Sequence, residues 1–162
     1  MELIEKILSE ENLQKAIRKV KKNKGAPGVD KMTVQEVEEW FNQYKEELIS
    51  KILNKQYKPM PVKRVYIPKP NGKQRPLGIP TVVDRVIQQA MLQVLNEIYE
   101  PVFSEHSYGF RPNRSAHMAM EEVLGYLNDG YEWIVDLDIE KFFDTVNHDK
   151  LISILRERVN DS

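Results

Sequence analysis

Two aspartates at the end of an apolar run carry the clearest chemical signal in the sequence. Asp136 and Asp138 follow Trp133 in a stretch rich in strand-forming residues. Because side chains alternate along a strand, both carboxylates would lie on one face of it. Carboxylates at the point where a buried strand emerges suit a divalent cation, since Mg²⁺ prefers hard oxygen ligands. The simpler alternative is that these carboxylates are solvated or cap the next element.

A second candidate site is the basic segment 51–75, which holds eight Lys and Arg residues and no acid. Five prolines in or beside the segment disfavour a helix, so we predict strands over 62–68 and 76–79. A turn at 70–73 would join them. Uncompensated cations repel one another, which favours a hairpin that contacts phosphates. A merely solvated hairpin is the alternative.

The third candidate is the irregular loop 103–113, where aromatic residues stand beside Arg111 and Arg114. Such pairs of residues can stack on and pair with nucleotides. They can equally pack a loop onto the core, and composition does not decide between the two.

Helices must position these segments. Apolar residues at helical spacing predict two short helices before Gly25, with a restart at Ser9, and further helical patterns from Thr33 to Leu53. Three more helices are predicted over about 81–98, 115–128 and after Asn147. Each of the last three begins at a capping residue. With the hairpin and the strand of Asp138, this is an α+β chain that is mostly helical.

Composition restricts the class of protein. The chain has 162 residues, enough for one domain, and it contains no cysteine. No apolar run reaches the ~20 residues that span a bilayer, and the N-terminus lacks a signal-peptide pattern, so we expect a cytoplasmic protein without membrane contact. Residues 1–96 carry 18 Lys and Arg against 11 Asp and Glu, whereas the remainder is acidic. The basic part suits a polyanion.

Several stretches together resemble one family, the reverse transcriptase encoded by bacterial group II introns, also called the maturase. They cover nearly the whole chain and are 24–30 (KGAPGVD), 57–59 (YKP), 64–69 (RVYIPK) with 72–80 (GKQRPLGIP), 108–112 (YGFRP) with 114–117 (RSAH), and 135–144 (VDLDIEKFFD) with 147–148 (NH). The resemblance is to the N-terminal part of that enzyme.

The resemblance implies a right-hand polymerase. Residues 1–55 would form its N-terminal extension, 56–131 the fingers with a short antiparallel hairpin, and 132–162 the start of the palm with its first strand. The family's second metal-binding motif, Tyr-x-Asp-Asp, does not occur in the sequence. We therefore expect a fragment that folds but does not polymerise.

The resemblance also assigns catalytic roles. Asp138 would bind the catalytic Mg²⁺ ions, together with the backbone carbonyl of Ile139. Phe143 matches the aromatic residue that excludes a ribonucleotide sugar. Lys69 and Arg75 match the cations that hold the incoming triphosphate, for which an arginine fork is well suited.

Template contacts follow from the same comparison. Leu77 and Ile79 would lie against the templating base pair. Lys24 and Gly25 belong to a loop that lies along template RNA, and Arg111 and Arg114 would sit near the template. Asp136 and Asp144 would have supporting roles, which for Asp136 could be incidental.

The resemblance implies nucleic-acid partners and leaves two functions open. The first is RNA-directed DNA synthesis with an RNA template, a DNA primer or target, and dNTP. The alternative is an RNA-binding maturase module whose main role is recognition of group II intron RNA. A homodimer formed through apolar helix faces is a further possibility that nothing in the sequence requires.

Overall fold

The protein is described by a computed structural model covering residues 2–68, 70 and 72–159. It divides into two compact units, Met1–Leu95 and Asn96–Ser162. The elements in order are α1 (Leu3–Leu8), α2 (Glu10–Lys22), α3 (Val37–Leu53), β1 (Lys63–Pro68), β2 (Gln74–Ile79), α4 (Val82–Tyr99), a 3₁₀ turn (Glu100–Val102), α5 (Ala116–Asn128), α6 (Phe142–Thr145) and α7 (His148–Arg156). The predicted division into N-terminal extension, fingers and palm concerns functional regions, which the two compact units do not test. It stays a prediction.

Capping residues separate the first helices as predicted. The Ser9 hydroxyl accepts a hydrogen bond from the backbone N–H of Asn12 at 3.4 Å and so begins α2. Thr33 donates to the Glu36 carboxylate from both its hydroxyl, at 2.6 Å, and its backbone N–H, at 2.8 Å. This contact closes the turn immediately before α3, which continues as one helix to Leu53.

Unit 1 holds the hydrophobic core. Every hydrophobic residue that is buried among the described residues lies between Ile7 and Val94. The largest of them sit at helical spacing on α2, α3 and α4: Leu13, Ile17, Val37, Phe41, Val82 and Val86. Burial of a large apolar side chain stabilises a fold by roughly 1.5–3 kcal/mol, so the stability of the described chain resides in this unit.

The predicted hairpin is present. Strands β1 and β2 pair antiparallel, from Lys63 opposite Ile79 to Pro68 opposite Gln74. Gly72, in the turn between them, has φ of 75°, a conformation that glycine adopts without steric cost. The second strand begins two residues earlier than predicted, because Gln74 and Arg75 extend the ladder.

The helices of unit 2 begin where the sequence predicts. The Ser115 hydroxyl accepts from the Met118 N–H at 3.3 Å to start α5. The Asn147 side chain accepts from the Lys150 N–H at 2.9 Å to start α7. The apolar spacing in α5 predicts that one side of the helix faces inward, but Met120, Val123 and Leu124 are exposed. That prediction is wrong in this structure, since none of the residues of α5 is buried.

The strand predicted around Asp138 is also wrong in this structure. Residues 131–139 have no regular secondary structure, and the hairpin forms the only sheet among the described residues. A strand is stabilised by hydrogen bonds to a neighbouring strand, and none of the described segments pairs with this one. Its apolar side chains are therefore exposed, with Trp133 at 94% and Leu137 at 89%.

None of the described helices is both long enough and apolar enough to cross a lipid bilayer.

Candidate nucleic-acid interface and metal-binding segment

One face of the hairpin carries three of the predicted site residues. Arg75, Leu77 and Ile79 alternate along β2 and therefore point to the same side. Arg75 is exposed near the turn, whereas Leu77 and Ile79 are half-buried farther along the strand. Opposite them, on the same face of β1, lie Ile67, Val65 and Lys63 respectively. Along β2 this face carries a cation near the turn and two apolar side chains toward α4, while Lys63 adds a second cation beside Ile79. Lys69, the second predicted phosphate-binding cation, lies outside the described residues.

The predicted template loop packs against the beginning of α4. A Cβ atom at Gly25 would meet the guanidinium of Arg85, so a larger residue there requires that flexible side chain to move. Arg85 donates from Nη2 to the carbonyl oxygen of Ala26 at 2.8 Å. Burial lowers the pKa of Arg85, and the nearby Asp30 carboxylate partly opposes this. Lys24, at the end of α2, has φ of 49° and is exposed.

Gly28 provides the closest backbone contact of this loop. A Cβ there would lie 2.8 Å from Cα and 2.9 Å from N of Thr81. Because these are backbone atoms, they cannot move aside as a flexible side chain could. The residue types of the GAPG stretch are therefore explained in part by packing: two glycines allow the loop to lie directly against α4.

A buried carboxylate joins the segment before the hairpin to the same helix. Asp84 is 3% exposed and accepts from the Thr81 hydroxyl at 2.6 Å and from the Met60 N–H at 3.2 Å. It also accepts from the Tyr57 hydroxyl. Burial, and then this hydrogen bond, raises the pKa of Tyr57 well above its usual range. Three donors thus fix where the chain enters β1.

Arg111 is engaged within its own loop. Its side chain is 8% exposed and binds the Glu100 carboxylate through Nη2 at 2.9 Å and Nε at 3.0 Å. Nη1 donates to the carbonyl oxygens of Ser104 at 2.6 Å and Ser107 at 2.9 Å. The guanidinium carbon lies 5.4 Å from the centre of the Phe103 ring. These contacts tie the loop together and leave little of the guanidinium for an external ligand.

Arg114 lies beside a tyrosine in the same unit. Its guanidinium is 5.5 Å from the centre of the Tyr108 ring. Tyr108 donates to Glu122, which also accepts from Tyr126 at 2.7 Å. These hydrogen bonds hold the pKa of Glu122 below its usual range. Of the two alternatives for this loop, packing accounts for Arg111, whereas Arg114 is half-buried beside Tyr108 and Phe110 is fully exposed.

The predicted catalytic segment is open to solvent. Asp136, Asp138 and Asp144 are all exposed, the last within α6. Phe143 is 89% exposed and meets Phe142 edge to face, with ring centres 5.5 Å apart. The Asp138 carboxylate and the Ile139 carbonyl offer oxygen donors of the kind that Mg²⁺ prefers. Among the described residues, however, no group of three or more His, Asp or Glu could hold a metal ion. These oxygen donors are of the type that Mg²⁺ binds, but the described residues do not supply a complete set of metal ligands.

The sequence does not indicate the structural roles of Asp84 and Arg85. The spacing of Thr81 and Asp84 predicts a helix cap, but nothing in it indicates that Tyr57, 27 positions earlier, shares the carboxylate. Arg85 lies on the predicted helix without any signal that it contacts Ala26, 59 positions away. Both contacts depend on how the loop segments return to α4.

Comparison with known proteins identifies the family of this chain. Residues 67–161 match the family described as reverse transcriptase (RNA-dependent DNA polymerase). Protein YkfC of Escherichia coli (strain K12) is 40% identical over 166 residues, covering 99% of this chain and 44% of that protein. The group II intron-encoded protein LtrA of Lactococcus lactis subsp. cremoris is 43% identical over 123 residues, covering 73% of this chain and 20% of that protein.

A more distant relative is the nuclear intron maturase 1, mitochondrial, of Arabidopsis thaliana, which is 32% identical over 82 residues, 51% of this chain and 11% of that protein. The chain spans less than half the length of the curated relatives it matches. Because the family match covers more than half of the chain, the chain belongs to the reverse transcriptases (RNA-dependent DNA polymerases), and its relatives assign it to the branch encoded by group II introns.

Proposed function

We propose that this chain supplies the fingers and the first catalytic carboxylate of an RNA-directed DNA polymerase encoded by a group II intron. The observation that carries the proposal is the extent of the family match, residues 67–161, which includes β2 of the hairpin and the segment of Asp138. The chain would act on an RNA template with a DNA primer or target and dNTP, within a protein of its relatives' length.

The hairpin face would bind the incoming nucleotide. Arg75 would contact its triphosphate, and Lys69 would add a second cation. Leu77 and Ile79 would lie against the templating base pair. The arrangement on β2 supports this, because a cation near the turn and two apolar side chains share one face.

The segment after α5 would supply part of the catalytic centre. Asp138 and the Ile139 carbonyl would hold Mg²⁺, and the remaining ligands would come from outside the described residues. When bound, the metal neutralises charge that develops during phosphoryl transfer. Asp138 would hold the metal in position for this. Phe143 would lie beside the sugar and exclude a 2′-hydroxyl, with Asp136 and Asp144 as supporting residues.

Binding of intron RNA is the second candidate function, and the charge of unit 1 favours it. The acid-free segment 51–75 and the exposed Lys24 present cations to a polyanion. Lys24, Gly25 and Arg114 would contact template or intron RNA, while Arg111 would position its loop. The two functions are compatible, since both use cations of segment 51–75.

Substitution of Asp138 separates the two functions. In a protein of the relatives' length, Asp138→Ala should abolish primer extension on an RNA template with Mg²⁺, because one of the proposed oxygen donors to the metal is lost. Binding of intron RNA should stay within about two-fold, because one exposed carboxylate makes no attractive contact with phosphates. Equal loss of synthesis and RNA binding would contradict this assignment, and Glu132→Ala is the matched control.

The 162-residue chain by itself should not extend a primer. Its described residues provide fewer than three carboxylate or imidazole groups at any one point, which is too few for a two-metal centre. Incorporation of dNTP by the purified chain, lost in Asp138→Ala, would refute this.

A further inference from the structure

A cleft in unit 1 is lined in part by the basic segment 51–75. It has a volume of about 650 Å³ and lies between α3, the residues around Met32, and the segment that leads into the hairpin. Small-ligand pockets in proteins commonly have volumes of about 300–1,000 Å³. None of the predicted catalytic, nucleotide-binding or template-binding residues lines this cleft.

Aromatic side chains form its walls. Trp40 and Tyr44 lie one helical turn apart on α3, with ring centres 5.3 Å apart and planes tilted by 40°. Tyr57 lines the cleft as well, and its hydroxyl is held by Asp84. Tyr44 is 38% exposed and Met60 is 49% exposed, so apolar surface is available to a ligand. Flat walls of this kind suit a flat heteroaromatic ring.

Each acid that lines the cleft already accepts a hydrogen bond or forms an ion pair within the protein. Lys51 binds Glu47 at 2.5 Å across one turn of α3. Asp84 is occupied by its three donors, and the Asp30 carboxylate accepts from the Met32 N–H at 3.3 Å. Lys58 also lines the cleft, is exposed, and has no carboxylate partner in the part of the chain that the structure describes. A free cation thus stands beside aromatic walls.

We propose that this cleft binds one unstacked base of a single-stranded RNA, with the adjacent phosphate on Lys58. The base would lie against Tyr44 and Trp40, and the Gln56 amide at the margin can donate to and accept from a base edge. This inference rests on the proposed RNA-binding function and deepens it. A base in a duplex is stacked on its neighbours and cannot enter the cleft, so the site selects single-stranded RNA.

The test measures affinity of the 162-residue chain for an unstructured 20-nucleotide RNA and for the same RNA annealed to its complement. Tyr44→Leu should weaken binding of the single strand about ten-fold, since removal of one base–aromatic contact has effects of this order. Tyr44→Phe keeps the ring and should bind as the wild type does. Duplex affinity should not change in either variant. Leu53→Ala, an exposed apolar residue on the same helix that does not line the cleft, is the matched control.

Fluorescence gives a second readout that does not depend on affinity. In a Trp133→Phe background, Trp40 is the remaining tryptophan, and the single-stranded RNA should quench its emission while the duplex does not. Salt-dependent binding of the single strand that is unaffected by Tyr44→Leu and leaves Trp40 unquenched overturns the cleft proposal alone. Failure of the wild-type chain to bind either RNA overturns its RNA-binding function as well.

Discussion

Asp84 is the residue on which most of the fixed geometry around the hairpin depends. Its carboxylate receives hydrogen bonds from Tyr57, Thr81 and the Met60 backbone while being almost fully buried. A buried carboxylate is stable in a fold only when donors replace its water. Asp84 also lies in the first turn of α4, where the helix dipole favours a negative charge.

Asp84→Ala should destabilise the chain by about 2–4 kcal/mol, because it leaves one buried donor and two partly buried donors without an acceptor. Urea denaturation followed by circular dichroism measures the free energy of unfolding. Glu46→Ala, an exposed acid on α3, should change it by less than about 0.5 kcal/mol. Equal effects of the two substitutions would show that the carboxylate is not needed.

Tyr57 should make stability decrease at alkaline pH. Its folded pKa is raised above the ordinary value of 10.0, so the unfolded chain loses this proton first as pH rises. The stabilising effect is therefore complete below pH 10 and declines above it, by at most about 1.4 kcal/mol per pH unit. Tyr57→Phe removes this effect. The difference in unfolding free energy between wild type and variant should narrow between pH 10 and pH 11. A difference that stays constant would contradict the predicted contribution of Tyr57.

At the scale of elements, Gly28 shows how one small residue lets a loop reach a helix. Gly28→Ala should destabilise the chain by about 1–3 kcal/mol, because the added Cβ meets backbone atoms of Thr81. Urea denaturation measures the change in the free energy of unfolding. Gly25→Ala should cost less, since it meets the far end of the flexible Arg85 side chain. Gly109→Ala is the control, because a Cβ there meets nothing within 4 Å. A larger effect at Gly109 than at Gly28 would be inconsistent with this packing.

The elements that the sequence predicts well are those decided by local interactions. Helices α2, α4, α5 and α7 begin at hydrogen-bonding caps that neighbouring residues specify, and the Gly72 turn closes the hairpin. The strand around Asp138 fails for the opposite reason. Its alternation predicts a strand, but a strand needs a partner that local sequence does not supply.

Within the site, local pattern finds residues but not their roles. The alternation of Arg75, Leu77 and Ile79 is evident once β2 is predicted, and the structure retains it. Arg111 shows the limit, because its contact with Glu100 depends on the path of an irregular loop. A charged residue in a sequence therefore indicates a possible ligand contact. Only the tertiary structure reveals that the residue already binds another side chain, as Arg111 binds Glu100.

For the whole molecule, the uneven distribution of buried residues has consequences for association. Where the structure describes the chain, all buried apolar residues lie in unit 1, whereas unit 2 exposes Trp133, Leu137 and Phe143 almost completely. Large exposed apolar surfaces commonly mark contacts with other protein segments. The homodimer stays a prediction, and the same surfaces are compatible with coverage by further chain in a protein of the relatives' length.

Residues 1–95 should fold without the remainder, because their core is complete within them. The last buried residue, Val94, precedes the boundary between the units. A chain of residues 1–95 should therefore unfold cooperatively in urea, with a midpoint close to that of unit 1 in the 162-residue chain. Residues 96–162 alone should show no cooperative transition, because the described part of this range, 96–159, contains no buried apolar residue. In the 162-residue chain, amide exchange should be slow in α2, α3 and α4 up to Leu95, and fast in α5 and α7. Protection of α5 equal to that of α3 would mean that the second unit has a stabilising core of its own.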